Sequence, residues 1–248
     1  HSSIWCIVKD NQGTLWLGTY FGGVNYFNPE YEIYTRYSYS SNEKKGLSNP
    51  VVGRTIEDKD GNLWIGTEGG GLNYYNRRTR EFKWYRPQEG RNSISHNNVK
   101  ALYYDADKEI IWIGTHLGGL NKLDIRSGHF THYRMEEGNP NTLPSDIIRD
   151  IIPYKSLLII ATQNGVCLFD PANGQCQQLF KDSKEGKSIK MVADVTFDSE
   201  GTLWIAATGE GVFSYRFDTC KLTNYRHDAT NPNSLSNNNV NNITQDSK

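Results

Sequence analysis

Five short segments hold the side chains best suited to meeting a ligand: Tyr20 and Phe21, Glu68, His116 and Leu117, Gln163 and Asn164, and Gly209 and Glu210. Each follows a copy of one motif, read as LWLGT at 15–19, LWIGT at 63–67, IWIGT at 111–115, LIIAT at 158–162 and LWIAA at 203–207. Aromatic, acidic, imidazole and amide groups at equivalent places suit carbohydrate recognition, because sugars present hydroxyl donors and acceptors beside apolar ring faces. Only Glu68, His116 and Glu210 offer proton chemistry in this set. No acid pair or His–Ser constellation recurs where it would converge, so the expectation is binding without catalysis. His116 stands without a second ligating side chain in the set, and neither a metal nor a cofactor is expected.

A second set occupies the third residue of the first strand in each unit: Cys6, Arg54, Ala101, Arg149, Asp194 and Asn242. Arg54 and Arg149 could hold the carboxylate of an acidic sugar in their planar forks. Arg149 and Asp194 stand on neighbouring units and could equally pair with each other as structure. Four cysteines, Cys6, Cys167, Cys176 and Cys220, form no CxxC and no zinc spacing. Cys167 and Cys176 flank the turn DPANGQ at 170–175. They read either as two reduced core thiols or as a cross-strand disulfide, which would point to an oxidising compartment.

What positions all of these is a repeat. Trp16, Trp64, Trp112, Ile159 and Trp204 recur at steps of 48, 48, 47 and 45 residues. A period in the forties built from short strands is the mark of β-propeller blades. Repeat two is the cleanest: strand PVVGRTIED at 50–58, turn DKDG, strand NLWIGT, glycine turn EGGG, strand LNYYN, turn RRTR, strand EFKWYRP, and a polar crossover from 88. Trp16, Trp64, Trp112 and Trp204 at fixed phase read as packing between blades. The recurrent Asp and Gly of the first turn read as backbone geometry, since the acids are too sparse to supply the six to eight oxygens that calcium takes. The crossovers NEKKGLSNP at 42–50, GRNSISHNN at 90–98, GNPNTLPSD at 138–146 and TNPNSLSNNN at 230–239 resemble one another and read mainly as structure. Unit four departs most. It has Pro153 for the turn Asp, Ile159 for Trp, a short QNG loop at 163–165 and the lysine-rich crossover KDSKEGKSIK at 181–190.

The expected fold is therefore all-β, a β-propeller of four-stranded antiparallel blades. Blades fall at about 1–47, 48–95, 96–143, 144–188 and 189–236, with the first strand of a sixth, VNNITQD at 240–246, in a partial unit at 237–248. A seven-bladed ring would need roughly 330 residues, so the chain is expected to be a single fragment of a larger ring, or a truncated propeller whose open edge meets another chain. Aromatic content of 12% suits thin blades that bury large flat side chains, despite only 36% hydrophobic residues. A net charge of −1 gives no general attraction to nucleic acid or anionic membrane. No apolar run approaches the ~18–20 residues that span a bilayer. The chain opens as HSSIWCIVKD, already inside a repeat and without a visible signal peptide. It is expected to be cut from a longer precursor.

The pattern D-x-x-G-x-L-W-I-G-T-x-x-G-G-L-x-x-Y, running from Asp58 to Tyr75, resembles the two-component regulator propeller repeat. The likeness covers essentially the whole chain and is weakest in unit four. The resemblance implies a periplasmic sensor domain of a hybrid two-component system, responding to oligosaccharides from complex glycans. It implies a membrane helix and a histidine kinase elsewhere in the parent chain, so that membrane contact comes only through the parent. It supplies no catalytic residues to carry over. Expected partners are an oligosaccharide and either a homodimer mate or a second propeller of the parent chain. Two other readings remain open: a protein-interaction scaffold, and a propeller lyase or hydrolase.

Overall fold

The computed structural model describes residues 3–28, 33–183 and 186–246. Among them lie twenty strands, two single 3-10 turns and no α-helix. The strands form five four-stranded antiparallel sheets, each taken up in chain order. Blade one is β1 (Ile4–Lys9), β2 (Leu15–Thr19), β3 (Gly23–Asn28) and β4 (Ile33–Tyr37). Blade two is β5 (Val52–Glu57), β6 (Leu63–Thr67), β7 (Gly71–Asn76) and β8 (Glu81–Tyr85). Blade three is β9 (Val99–Asp105), β10 (Ile110–Thr115), β11 (Leu120–Asp124) and β12 (Phe130–Tyr133). Blade four is β13 (Ile148–Tyr154), β14 (Leu157–Thr162), β15 (Gly165–Phe169) and β16 (Cys176–Gln178). Blade five is β17 (Val192–Phe197), β18 (Leu203–Ala207), β19 (Gly211–Arg216) and β20 (Lys221–Tyr225). The chain divides into two compact units, His1–His132 and Tyr133–Lys248. No helix among the described residues is long and apolar enough to cross a membrane.

Within the first unit the second strands are the heart of the packing. Every residue of β6 and β10 is buried. Trp16 joins Leu47, Val52, Leu63, Ile65 and Phe82 in one cluster, and Trp64 joins Ile94, Val99, Ile111, Leu123 and Phe130 in the next. Each Trp thus belongs to its own blade and to the packing of the following one. In the second unit, Ile159 takes the Trp position of blade four and packs with Val195, Ile205 and Phe213 of blade five. An aliphatic side chain serves there because those blade-five partners supply the bulk.

The turn aspartate does more than start a turn. Asp58 Oδ1 accepts from the amides of Asp60 (3.0 Å) and Asn62 (2.9 Å), while Oδ2 accepts from the Trp64 indole at 3.1 Å. Asp10–Trp16 and Asp198–Trp204 repeat the indole contact at 2.8 Å. The carboxylate is consumed in fixing the Trp rotamer, and no group of three metal-ligating side chains exists among the described residues. Blade four replaces this turn with a two-residue hairpin, Tyr154 opposite Leu157, with Lys155 at φ 56°. The glycine of LWIGT is a close approach rather than a turn. A Cβ at Gly66 would lie 2.6 Å from Val99 Cγ1 on the next blade.

Two expectations are corrected by the register. In blades one, three, four and five the pairing of the first and second strands shifts by one residue, between Ile4 and Cys6, Val99 and Ala101, Ile148 and Asp150, and Val192 and Asp194. This is a β-bulge at Trp5, Lys100, Arg149 and Ala193, with one extra residue on the first strand. Asp150 pairs with Ala161 as Asp194 pairs with Ala206, so Asp150, not Arg149, is the counterpart of Asp194. The expected first strand at 240–246 makes no ladder, because a strand needs a neighbour to pair with. The segment runs extended along blade five, with Ile243 N donating to Asp194 Oδ2 at 2.8 Å and Gln245 bonded to Ser199.

Candidate functional site

The glycine loops are closed in one way. Thr19, Thr67, Thr115 and Thr162 each donate a hydroxyl proton to a carbonyl at the far end of the loop, Gly23, Gly71, Gly119 and Gly165, at 2.8–2.9 Å. Crossovers lie against the loops and tie neighbours together. In the first unit Pro50 O accepts from Gly23 N, and Val51 O accepts from Glu68 N, so the crossover into blade two touches the loops of blades one and two. Asn97 O accepts from Gly69 and Gly71, and Asn98 O accepts from His116 N at 2.9 Å. The loops of blades one, two and three therefore form one continuous rim. Buried Asn73 and Asn121 hold the crossovers in place through Ser48 N and Ser95 N, both at 2.8 Å.

Tyr20, Phe21, Glu68 and His116 all lie on this rim. Tyr20 stacks on Trp5 with centroids 5.6 Å apart and planes at 17°, and meets Phe21 edge-on at 4.4 Å. Lys100 Nζ donates to Glu68 Oε1, so the acid is held as an ion pair. Trp5 and Lys100 were not legible as rim residues in the sequence. Both sit at the bulge, and the bulge side chain leans toward a glycine loop: Trp5 toward its own blade's, Lys100 toward that of the preceding blade.

Backbone conformation singles out two of the loops. Gly69 and Gly209 have φ of 101° and 83° at the tip of their loops. Phe21 and Leu117 hold the matching positions at φ 67° and 75°. A bulky residue there is strained by roughly 1–3 kcal/mol. Both side chains are more than half exposed, at 57% and 56%.

In the second unit, Gln163 O accepts from Met191 N at 2.7 Å and Thr208 N donates to Met191 O at 3.2 Å, so one crossover again bridges two loops. Asn164 is committed to its own blade, donating to Pro144 O at 3.4 Å and accepting from Gln178 at 3.3 Å. Glu210 accepts from Arg226. Arg54 lies off the rim on β5, beside the Cys6 thiol. Burial pushes that thiol up, while Thr55, Gly18 and the Arg54 charge pull the other way. Arg149 occupies the bulge of β13. The neighbouring carboxylates are bound to backbone instead: Asp150 Oδ2 accepts from Val195 N at 3.4 Å, as Asp194 does from Ile243.

A groove of about 690 Å³ in the second unit, lined by Phe197, Trp204, Tyr225, Arg226 and Gln245 among others, has no counterpart in the loop reading. It lies over the Asp198–Trp204 corner. On blade one the same corner is filled by Tyr75 and Arg77 of blade two, so this groove is a blade-packing face in kind. Cys167 and Cys176 are both buried and not opposite. Phe169 pairs with Cys176 and Cys167 with Gln178, which makes the cysteines diagonal neighbours. All four cysteines are free thiols. The Cys167 thiol is pushed up by its hydrogen bond with Cys176 and by burial.

No curated protein matches the chain. Among solved structures, it is similar to one described as the extracellular domain of the hybrid two component system BT3049 of B. thetaiotaomicron. That match has a TM-score of 0.76 and 23% identity over 100% of this chain and 38% of that one. The extracellular domain of a B. thetaiotaomicron system described as one component, BT4673, matches at TM-score 0.74 and 22% identity over 92% of this chain and 31% of that one. PorZ, a surface component of the type-IX secretion system of Porphyromonas gingivalis, matches at TM-score 0.63 and 17% identity over 88% and 38%. The chain thus spans about a third of the length of the solved chains it resembles, and at these identities the likeness is one of fold. Residues 1–21, 46–69 and 93–116 match the family described as two component regulator propeller. With Trp, glycine loop and turn Asp in the same phase through its cleanest blades, the chain is built of two component regulator propeller repeats.

Proposed function

We propose that the chain is a non-catalytic sensor segment of a hybrid two-component system, lying in the periplasm and binding oligosaccharides released from complex glycans. Binding would bias the arrangement of this segment against a second propeller or a second copy, and the parent chain would carry that bias through a membrane helix to a histidine kinase. The coupling needed is about 1–3 kcal/mol. The fold supports the setting, since extracellular domains described as parts of two-component systems share it.

One observation carries the absence of catalysis: the rim acids are neutralised. Glu68 is paired with Lys100, and Glu210 with Arg226. A carboxylate held by a cation stays ionised and is a poor general acid, and the paired cation also weakens it as a base. What remains on the rim is aromatic, amide and ion-pair surface, which suits sugar hydroxyls and ring faces. Calorimetric titration with neutral and acidic oligosaccharides, with product analysis of the same mixtures, tests this reading. Binding without turnover is expected, and cleavage of any bound glycan would overturn it. A scaffold reading is favoured by Ile4 and Ile7, which expose 52% and 62% of their surface on β1. Retention of a protein partner and of no glycan would select it.

A further inference from the structure

The rim of the first unit alternates in bulk. Tyr20 and Phe21 stand on blade one, Glu68 and Gly69 on blade two, His116 and Leu117 on blade three. The middle loop runs Glu68–Gly69–Gly70–Gly71, so the rim drops to bare backbone between two exposed apolar tips. Gly69 is itself exposed. Amides border it: a Cβ there would lie 3.1 Å from Asn49 Nδ2 and 4.0 Å from Asn98 Oδ1. Asn49 accepts from Val51 N through Oδ1, which fixes the direction of its amide. The Glu68–Lys100 pair stands beside them with no net charge.

The apolar tips sit on backbone that glycine would occupy without strain, as it does at Gly69 and Gly209. A strained, exposed, bulky side chain gains nothing for the fold of its own blade. Its retention fits a contact outside the chain. An amphipathic notch, apolar on two sides with amide and ion-pair hydrogen-bonding groups at its base, matches a ring with apolar faces and hydroxylated edges.

We propose that the notch over Gly69, flanked by Phe21 and Leu117 and edged by Asn49, Asn98 and the Glu68–Lys100 pair, is a subsite for one neutral pyranose ring of an oligosaccharide. Phe21, backed by the Trp5–Tyr20 stack, gives the stacking face. The amides and Glu68 take the hydroxyls. An acidic sugar gains no cation here, because Lys100 is already neutralised. The proposal rests on the oligosaccharide reading and specifies where, and for what sugar class, that reading acts.

The 248-residue protein is screened on an array of neutral glucan, mannan, xylan, galactan and arabinan oligosaccharides beside oligogalacturonides, and hits are titrated by calorimetry. A neutral oligosaccharide is expected to bind. Phe21→Gly and Leu117→Gly are each expected to weaken it tenfold or more while the melting temperature stays level or rises, since both substitutions relieve left-handed strain. Leu117→Asn, which tolerates the same φ, serves as a second variant and is expected to lose affinity similarly. Wild-type affinity in both glycine variants overturns the notch and leaves the oligosaccharide reading standing. Binding of oligogalacturonides alone overturns its neutral specificity, and binding of no glycan overturns the reading on which it rests.

Discussion

Arg77 reaches from blade two into the turn of blade one, where its Nη2 lies 2.8 Å from Asp10 Oδ2 and its guanidinium lies 5.4 Å from the centroid of the Trp16 ring. Asp10 is fully covered in its side chain, and Arg77 is 22% exposed. A second acid, Glu57, approaches Arg77 at 3.4 Å. One carboxylate therefore closes a turn, orients a Trp and receives the next blade.

Removing the cation leaves that carboxylate buried beside an indole that cannot neutralise it. Arg77→Met should destabilise the protein by roughly 3–5 kcal/mol, as for a buried pair broken on one side. The double variant Arg77→Met, Asp10→Asn should recover part of the loss, because the stranded charge is gone. Urea unfolding followed by Trp fluorescence measures both. Equal losses in the single and double variants would show that packing of the Arg stem, not charge, holds the contact.

Much of this arrangement is visible in the sequence, because it repeats. Asp58, Gly61, Trp64 and Thr67 stand in the same phase as Asp10, Gly13, Trp16 and Thr19, and the blades and their turns follow. The phase of the first strand is not visible. A bulge adds one residue without disturbing the period of the unit, so Arg149 is set where Asp150 belongs until the pairing is known. The Glu68–Lys100 pair is hidden for another reason: its members are 32 residues apart on different blades, and only blade packing joins them. Phe21 and Leu117 lie between these cases. Their alignment with Gly69 and Gly209 is plain in the sequence, but the left-handed φ that gives it meaning belongs to the fold.

The glycine of the central motif gives a second test. Gly66→Ala would put a Cβ 2.6 Å from Val99 Cγ1 and 3.0 Å from its Cβ, both on β9. β9 is paired on its far side to β10 and cannot shift freely, so a loss of about 1–3 kcal/mol is expected. Val99→Ala in the same chain should restore most of it. Ala161→Gly, at the matching place in blade four, should cost only ~1 kcal/mol through backbone entropy. Thermal unfolding of the four proteins decides the matter; an unchanged melting temperature in Gly66→Ala would remove the close-approach account.

Acid sensitivity follows from the turn aspartates. Burial favours the neutral form of Asp10, but the Trp16 indole, the Thr14 amide and Arg77 together outweigh it and hold the carboxyl below its usual value. Asp198 is lowered likewise, against burial, by Trp204 and Thr202. In the unfolded chain each titrates near the ordinary Asp value of about 3.9. Their stabilisation is therefore complete above about pH 4 and is lost as pH falls through the lower folded values. Stability measured from pH 6 to pH 2 should fall below about pH 4. Asp10→Asn should be less stable at pH 6 and should show a shallower fall, and a parallel profile would mean that other carboxylates govern acid unfolding.

The cysteines give the last test. The register of β15 and β16 places Cys167 and Cys176 on a diagonal, and both are buried. Diagonal partners on an antiparallel pair lie roughly 7–8 Å apart, beyond the ~4.4–6.8 Å between Cα atoms over which a disulfide closes without moving the backbone. The two thiols instead share a hydrogen bond, and this, with burial, pushes Cys167 up and away from the reactive thiolate. Native alkylation with iodoacetamide should therefore modify exposed Cys220 first and leave Cys167 protected until unfolding. Mass spectrometry of the non-reduced protein after alkylation in denaturant should find four labelled cysteines. A species labelled only at Cys6 and Cys220 would mean that β16 moves far enough in solution to close the bond.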